Sequence, residues 1–462
     1  MKAWEIERHK MDTALPRILT NDEQTWDFAQ ILEKNADDTL KMMWESHVPG
    51  SYAPESLMVA AVQSLENKGY FVEDGDRLIQ EGLKALQEKD MLKLNEVSGL
   101  LWRSIHHAKV NQASFYWRYM PYHDYQHYCS KVQFMPRVEV AKDDVLLDKI
   151  HAAWLAQIIG GAVGTALEGY TTQNIKATFG DVYDYVRTPN TYNDDITFEL
   201  AFLKAFQAKG RALKSEDIAL KWLAYIPMAW SAEDIALRNL RQGIFPPESG
   251  RFNNPYSDWI GAQMRGAICG MLAPGDAREA ARLAWLDAQI SHDNNGILGE
   301  VFNAVLVALS FVVHDTKTLV TNTLISVPKD SEYYHFANTA LIQCQSHETW
   351  EEAWAVCESI FKEYNWIHAY PNVMAEIVAL WFGKNDFTET LHIIAMCGQD
   401  VDCNAAQILA ALGAMQGSRK IPSKFKRPIK DRLDTYLRVE KKLSIKQLAK
   451  DTFACLKEEK YG

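Results

Sequence analysis

The stretch HAAWLAQIIGGAVGTALEG, residues 151–169, decides the fold class of this chain. Glycine, alanine and branched apolar residues fill it, and small residues at this density let helices approach one another closely. The stretch therefore predicts a compact helix bundle rather than an amphipathic surface layer. Elsewhere, Ile79, Leu83 and Leu86 follow the i, i+4, i+7 spacing of an amphipathic helix. Because no strand ladder and no repeat of fixed period are found, the sequence predicts an all-α protein.

The glycines at positions 160, 161 and 164 partly match a phosphate-binding loop. They follow a helical run instead of a strand and lack the complete GxGxxG spacing, so we reject a dinucleotide-binding fold. Close packing between helices is the interpretation that we favour for them. Glu168 is different, because a lone acid between apolar residues and a glycine is either a partly buried carboxylate or a turn residue.

Composition limits the class of protein. At 462 residues, the chain is long enough for two domains, one of them large. A net charge of −11 argues against nucleic acid as a primary partner. No signal-peptide core and no run of about 18 apolar residues is present, so we expect no membrane partner. The seven cysteines are scattered and form no CxxC pair, which predicts reduced thiols in a cytoplasmic protein.

A domain boundary is expected near residue 141. It divides an N-terminal helical domain (1–140), to which the sequence assigns no role, from a larger domain (141–462). Residues 133–140 contain a proline and are predicted to form an extended linker, after which Asp143 or Asp144 caps the next helix. The aromatic stretch 114–128 is expected to pack between the domains. Ser444 is predicted to cap the last helix.

Two acidic clusters carry the candidate chemistry. Residues 193–195 (Asn-Asp-Asp) and 400–404 (Asp-Val-Asp-Cys-Asn) each open an apolar helical run. Helix capping explains one acid in each cluster about as well as a functional role does. Each cluster has two acids, however, and carboxylates near buried helix ends repel one another unless cations neutralise them. Ligands that offer only oxygen suit Mg²⁺ or Mn²⁺ rather than zinc.

Polar loops supply further candidates. One loop contains Asn254 and Asp258 and leads into a helix with Gln263, and another contains His292. His368 lies in the segment WIHAYPN. Such loops suit the recognition of substrate hydroxyl groups, although polar loops between helices are common and a lone histidine is more often structural.

Together and in order, these features resemble the ADP-ribosylglycohydrolase family, also called the dinitrogenase-reductase-activating glycohydrolase family. The resemblance runs from about residue 148 to the C-terminus. The glycine-rich helix resembles the family's GxxxGxALG opening, with Glu168 before the last glycine and Thr165 where many members have Asp. The cluster at 193–195 lies where members carry Thr/Ser-Asp-Asp. The segment 398–405 lies on the family's Gly-x-Asp-x-Asp-Thr/Ser-x-Ala motif, with Cys403 in place of the hydroxyl residue.

The resemblance implies an all-α, compact orthogonal helix bundle, here with an extra N-terminal helical domain. It also implies a dinuclear site for two divalent ions, Mg²⁺ or Mn²⁺. The implied metal ligands are Asn193, Asp194, Asp195, Asp400, Asp402 and Cys403. Glu168 is the implied catalytic carboxylate, with Asp194 or Asp195 as the alternative. The candidate substrate contacts are Asn254, Asp258, Gln263, His292 and His368.

The function implied by the resemblance is hydrolysis of an N- or O-glycosidic bond to ribose. The substrate would be an ADP-ribosylated protein or a small ribosyl conjugate. Two alternatives stay open from the sequence. One is a hydrolase of small ribosyl N-glycosides or nucleosides, and the other is a non-catalytic protein that binds ADP-ribose. The presence of all four aspartates in the two clusters argues against the non-catalytic alternative.

Overall fold

The computed structural model describes residues 1–457 of the chain. Within that range, 23 helices form the architecture, and the strands are limited to four antiparallel pairs of two residues per strand. The all-α prediction is therefore confirmed. The buried apolar side chains form one continuous core that runs from Met43 to Leu456.

Six helices precede the expected domain boundary. They are α1 (Ala3–Thr13), α2 (Asp27–Trp44), α3 (Leu57–Asn67), α4 (Gly75–Glu88), α5 (Met91–His106) and α6 (Tyr125–Lys131). The helices after the boundary are α7 (Asp144–Gly164), α8 (Thr172–Phe179), α9 (Asp194–Lys209), α10 (Ser215–Tyr225), α11 (Ser231–Arg241), α12 (Glu248–Arg251), α13 (Ala267–Met271), α14 (Ala277–Ala288), α15 (Asn295–Ser310), α16 (Thr316–Leu324), α17 (Glu332–Ser346), α18 (Trp350–Phe361), α19 (Ala369–Gly383), α20 (Phe387–Cys397), α21 (Val401–Gln416), α22 (Ser423–Ile429) and α23 (Ile445–Lys457).

The short strands connect parts of the chain that are distant in sequence or close a turn. They pair as β1 (Ser46–His47) with β2 (Pro54–Glu55), β3 (Tyr70–Phe71) with β4 (Lys109–Val110), β5 (Tyr170–Thr171) with β6 (Gly398–Gln399), and β7 (Leu433–Asp434) with β8 (Lys442–Leu443). The sequence did not predict these pairs, because two residues are too few to show a period-two pattern.

The closest helix contact is made by the glycine-rich helix, α7. A β-carbon built on Gly160 would lie 2.5 Å from the Ala405 carbonyl carbon, and one on Gly413 would lie 2.4 Å from the Ala152 carbonyl oxygen. These two contacts show that α7 and α21 run antiparallel with their backbones touching. Close helix packing, the interpretation favoured for these glycines, is confirmed.

Several local predictions are also confirmed. The side chain of Asp143 caps α7 by accepting from two backbone N–H groups, and the Ser444 Oγ accepts from the Gln447 N–H at the start of α23. All seven cysteines are free thiols. No helix in residues 1–457 combines the length and the apolar character that a membrane crossing requires.

The aromatic segment 114–128 packs against the larger part of the chain, as expected. The Tyr122 hydroxyl donates to Asp330, and the Tyr128 hydroxyl donates to the Ser326 carbonyl at 2.7 Å. The predicted linker, residues 133–140, also contacts the larger part of the chain, because the Val138 N–H donates to the Gly275 carbonyl at 3.0 Å.

Candidate metal centre and active site

The antiparallel packing of α7 on α21 brings Glu168 to the N-terminal end of α21. The chain turns directly after α7, and the Gly169 N–H donates to the Gln399 carbonyl at 2.8 Å. Strand β5 then pairs with β6, immediately before Asp400. Gly398 and Gln399 have φ values of 69° and 65°, a left-handed conformation that glycine adopts at the least cost. This reversal places Glu168 beside the second acidic cluster.

The first acidic cluster opens α9 and faces the second. The Asn193 side chain caps the helix, since its Oδ1 accepts from the Asp195 N–H at 2.6 Å. The amide Nδ2 of Asn193 donates to Asp402 Oδ2 at 3.2 Å. The Cys403 thiol donates to Asp195 Oδ1 at 3.3 Å. The structure thus brings together two motifs that are about 200 residues apart.

Four of the acids in the cluster are buried. The buried carboxylates belong to Glu168, Asp195, Asp400 and Asp402, whereas the Asp194 side chain is exposed and marks where the cluster opens to solvent. Burial, followed by the charge of Asp402, raises the pKa of Glu168, Asp195 and Asp400 well above the usual range. A hydrogen bond joins the carboxyl groups of Glu168 and Asp402. Without a counter-charge the cluster is therefore costly to ionise.

The donor set fits hard divalent cations. Asp195 Oδ2, Asp400 Oδ1 and Asp402 Oδ1 are buried and have no hydrogen-bond partner. Buried carboxylate oxygens are rarely left unpaired, because the free-energy cost is several kcal/mol. Asp400, Asp402 and Cys403 each offer a ligand atom, and these atoms lie within 4.8 Å of one another. Burial raises the pKa of the Cys403 thiol, which keeps it protonated, so the strong donors are oxygens.

Asn372 of α19 supports the second cluster, and the sequence analysis assigned it no role. Its Oδ1 accepts from the Asp400 N–H at 3.1 Å and from Asn404 Nδ2 at 2.7 Å. Its Nδ2 donates to the carbonyls of Trp366 and His368, both at 2.8 Å. Asn372 therefore fixes the backbone that presents Asp400. The motif around Asp400 carries no signal for it, because the two segments meet only in the fold.

The N-terminal part of the chain also reaches the site. A β-carbon on Gly50, in the turn between β1 and β2, would lie 2.8 Å from Glu168 Oε1. Arg187 holds this turn, donating to the Gly50 carbonyl at 2.5 Å and to the Thr165 carbonyl at 3.3 Å. At the end of the same hairpin, Glu55 accepts from Trp230 Nε1 at 2.7 Å. Its pKa is raised by burial and by the nearby charge of Asp194.

The five candidate substrate contacts lie outside this cluster, and within the described residues none of them hydrogen-bonds to it. Three use their polar atoms inside the protein. Asn254 Nδ2 donates to backbone carbonyls, including that of Ser291 at 2.8 Å. Gln263 Nε2 donates to Glu376 Oε1 at 3.2 Å and Gln263 Oε1 accepts from a tyrosine hydroxyl. His368 caps α19 through its Nδ1.

The other two candidate contacts retain an unpartnered atom. His292 Nδ1 lies 2.7 Å from Ser291 Oγ, while its Nε2 has no partner. Asp258 Oδ2 also has none, and this residue lines a separate cavity. Between these loops, the buried Arg265 bonds to Glu233 at 2.9 Å and to Asp287. This paired guanidinium therefore links the segment around Arg265 to α11 through Glu233 and to α14 through Asp287.

Comparisons with known proteins agree on a family. Residues 142–460 match the model of the ADP-ribosylglycohydrolase family. An uncharacterized protein of Archaeoglobus fulgidus is 23% identical over 299 residues, which are 62% of this chain and 92% of that protein.

A solved structure described as an ADP-ribosylglycohydrolase-related protein complex is similar in fold. Its TM-score is 0.50 at 17% sequence identity, and the match covers 68% of this chain and 99% of the other. At this identity, the similarity shows the fold alone.

Proposed function

The chain belongs to the ADP-ribosylglycohydrolase family, and from this premise we propose that it hydrolyses the glycosidic bond to ribose in an ADP-ribosylated substrate with the help of two divalent cations. Family membership supports hydrolysis of a glycosidic bond in general. The observation that carries the metal-dependent proposal is the buried acid cluster between α9 and α21, in which three aspartates each have one carboxylate oxygen without a hydrogen-bond partner.

The aspartates of both motifs would hold the cations. Asp195, Asp400 and Asp402 offer unpartnered buried oxygens, and Asp194 offers a carboxylate open to solvent. Asn193 and Cys403 lie beside them and complete the proposed ligand set. Mg²⁺ or Mn²⁺ bound there would supply Lewis-acid chemistry and orient the ribose hydroxyls. The positive N-terminal ends of the two helices add to the local attraction for anionic groups.

Glu168 is the proposed catalytic carboxylate. Water adds to the anomeric carbon of the ribose, the bond to the departing nitrogen or oxygen breaks, and the transition state has oxocarbenium character. A Glu168 carboxylate oxygen takes the proton that the attacking water loses, and that proton is passed to the leaving group. Asp194 or Asp195 is the alternative for this role. The turn at Gly50 lies against Glu168 and shields its carboxylate from bulk water.

The candidate substrate contacts fall into two groups, according to whether their side-chain polar atoms are free or already hydrogen-bonded within the protein. His292 retains a free Nε2 and is proposed to contact the substrate. Asn254, Gln263 and His368 are proposed to position the loops and helix ends that surround the site, because their side chains are bonded internally.

A hydrolase of small ribosyl conjugates is the second candidate, and one observation favours it. The hairpin turn fastened by Arg187 covers the Glu168 side of the acid cluster. A covered site admits a compact conjugate more easily than a modified side chain on the surface of a large protein. We propose cytoplasmic conjugates of this kind as a substrate class to be compared with modified proteins.

The test is hydrolysis of a substrate panel in Mg²⁺, in Mn²⁺ and in EDTA. The panel contains ADP-ribosyl-arginine and ADP-ribosyl-serine peptides, O-acetyl-ADP-ribose and simple nucleosides. Asp400→Ala is compared with Asp386→Ala, which removes an N-cap aspartate of α20 outside the cluster. We expect metal-dependent turnover that falls by about two orders of magnitude or more in Asp400→Ala and persists in Asp386→Ala. No turnover on any substrate, with no metal bound at equilibrium, would refute the proposal.

Glu168→Gln separates the catalytic role from metal binding. A residue that moves a proton contributes about 10²–10⁴-fold to kcat. We expect kcat to fall within that range while Mn²⁺ affinity, measured by calorimetry, stays close to that of the wild type. Loss of Mn²⁺ affinity with no separate effect on kcat would make Glu168 a ligand instead.

A further inference from the structure

Residues 1–42 form an N-terminal arm that is attached to the rest of the protein only at its end. The continuous core begins at Met43, and Leu40 is the first residue that packs against it. Every residue from 6 to 36 is exposed. Within the described chain, the side-chain hydrogen bonds of the arm join its own residues to one another. Residues 27–39 of α2 therefore run for about 20 Å before the helix reaches the core.

One side of α2 carries an apolar stripe that is open to solvent. A helix with 3.6 residues per turn places Phe28, Ile31, Leu32 and Met42 on the same side. These four residues are 48–61% exposed. Trp26 is 75% exposed and extends the stripe at the start of the helix, because its ring centroid lies 5.7 Å from that of Phe28. The stripe lacks the apolar cover that an amphipathic helix normally has.

The area of the stripe approaches what a stable interface needs. Its five apolar residues expose roughly 700 Å² together, since one large aromatic side chain can bury about 150–250 Å². A monomeric soluble protein rarely exposes an apolar patch of more than a few hundred Å². A standard interface buries about 800 Å² on each partner. Two such stripes packed together, with the polar side chains beside them, reach that size.

Charged side chains alternate in sign along one edge of the stripe. In chain order they are Asp27, Lys34, Asp38 and Lys41, and none of the four has an ion-pair partner in residues 1–457. A second α2 laid antiparallel on the first presents the same charges in reverse order, so Asp27 faces Lys41 of the second copy. Lys34 likewise faces Asp38 of the second copy. A parallel second copy would place like charges opposite each other, so the edge is complementary to itself in the antiparallel orientation.

The same orientation explains a polar residue in the middle of the stripe. Asn35 lies between Leu32 and Met42 on the apolar side of α2, midway along the row of charges. In the antiparallel pair, a two-fold axis would pass beside it, so the two Asn35 amides would meet. Each amide has both donors and an acceptor, so the two can bond to each other. A single polar residue within an apolar helix interface fixes the register of the helices.

The charge of the arm argues against a lipid surface as the partner. Residues 1–42 contain six basic and nine acidic side chains. Helices that lie on membranes carry lysine and arginine on their polar face, which anionic lipids attract. The alternating charges beside the stripe match a second α2 better than they match a layer of headgroups.

We propose that the chain forms a two-fold symmetric homodimer in which α2 packs antiparallel on α2 of a second copy. Phe28 of each copy lies against Met42 of the other, and the two Asn35 side chains meet at the axis. An interface of this kind uses the same surface on both subunits, as most dimers of soluble proteins do. The proposal does not depend on the hydrolase function, because association is measured without substrate or metal.

The first experiment is sedimentation velocity of the full chain over a range of about 1–100 µM, and we expect a dimer with a Kd of about 1 µM or below. Leu32→Glu should weaken association by about 100-fold or more, because it places a charge in the apolar stripe. Leu92→Glu changes an exposed leucine of α5 outside the stripe and should leave association unchanged. A monomeric wild type at about 100 µM, or a Leu32→Glu protein that dimerises like the wild type, overturns the proposal.

Single cysteines test the orientation of the two helices. Asn35→Cys should give a disulfide-linked dimer on mild oxidation, because the axis brings position 35 of both copies within the roughly 7 Å between Cα atoms that a disulfide allows. Phe28→Cys should not, since position 28 lies opposite position 42. The wild type, whose seven cysteines all lie outside the arm, is the control. Equal cross-linking through positions 28 and 35 would indicate a parallel pair and refute the antiparallel arrangement.

Exchange of charges tests the pairing along the edge of the stripe. Lys34→Asp places an acid opposite Asp38 of the second copy at two symmetric positions, and it should weaken association by about 3–10-fold. The double variant Lys34→Asp, Asp38→Lys restores opposite charges at both positions and should regain most of the lost affinity. A double variant that associates as weakly as Lys34→Asp would contradict the proposed pairing.

Sedimentation with vesicles separates a second copy of the chain from a lipid surface as the partner of the stripe. We expect the wild type to stay in the supernatant with phosphatidylcholine vesicles and with vesicles that also contain phosphatidylserine. Co-sedimentation of the wild type that is lost in Leu32→Glu would assign the stripe to a lipid surface and overturn the proposal.

Discussion

Gly164 of α7 faces the backbone of Asp402 so closely that a β-carbon on Gly164 would lie 2.2 Å from the Asp402 Cα. The last turn of α7 thus touches the first turn of α21, where the second acidic motif begins. The position of Asp402 in the acid cluster therefore depends on the close packing of α7 against α21. Any side chain at position 164 must separate the two helices and move the Asp402 carboxylate.

The first prediction concerns that contact. Gly164→Ala should lower the free energy of unfolding by about 1–3 kcal/mol, because overpacking forces the backbone apart. It should also weaken Mn²⁺ binding, since Asp402 moves away from Asp195. Gly99→Ala is the matched control, because Gly99 lies within α5 and a β-carbon there meets nothing within 4 Å. Denaturant unfolding and Mn²⁺ calorimetry measure both effects, and a Gly164→Ala protein with wild-type Mn²⁺ affinity would contradict the argument.

The sequence predicted this contact as far as local pattern allows. The density of small residues around Gly160 indicated close helix packing, and the paired acids at Asp194 and Asp400 indicated two helix ends that need cations. Each of these signals is contained within a few consecutive residues of the chain. Their meeting in space follows from the antiparallel arrangement of α7 and α21, which no local pattern in the sequence indicated.

Other parts of the site left no local signal. Lys68 and Ser257 meet across 189 residues, and Gly50 lies against Glu168 through a hairpin of two-residue strands. Lys68 follows the end of α3, where a lysine is expected to be exposed. Its burial could not be predicted, because it depends on the loop around Ser257, far along the chain. Asn372 was likewise unassigned because its partners lie on α21 and on its own preceding loop.

The second prediction tests whether the acid cluster is destabilising without metal. In EDTA, Asp402→Asn should raise Tm by a few degrees, because it removes a charge that raises the pKa of Glu168, Asp195 and Asp400. The same variant should lose the rise in Tm that Mn²⁺ produces in the wild type. Asp386→Asn, at an N-cap outside the cluster, should change neither value. A lower Tm in EDTA for Asp402→Asn would show that the carboxylates are stabilised by the protein itself.

The third prediction concerns Asn372. Asn372→Leu leaves the Asp400 N–H and the Asn404 amide without their acceptor, which should cost about 1–3 kcal/mol for each group. Because the Asp400 backbone is then unsupported, Mn²⁺ affinity should fall about 10–100-fold. Asn239→Leu is the control, since Asn239 also donates to two backbone carbonyls but lies outside the acid cluster. Equal loss of Mn²⁺ affinity in both variants would indicate general destabilisation rather than support of Asp400.

The fourth prediction is a pH dependence that originates at His368. Burial, together with the charge of Lys68, lowers the pKa of His368 from 6.5 to about 3. Between these two values the unfolded chain binds a proton that the folded chain does not, so stability is present above about pH 6.5 and is lost as pH falls. From pH 7 to pH 5, this single group should reduce the free energy of unfolding by about 2 kcal/mol.

His368→Asn isolates that contribution, because asparagine can still accept from the Tyr370 N–H and cap α19. The variant should lose less stability than the wild type between pH 7 and pH 5, and the difference between the two urea-unfolding profiles gives the contribution of His368 alone. Taking this difference removes the effect of carboxyls such as Glu332, whose pKa burial raises to about 7 and which therefore acts in the opposite direction. Parallel profiles for the two proteins would mean that His368 takes up a proton equally well in the folded and unfolded chains, and that Lys68 and its surroundings do not exclude a second positive charge.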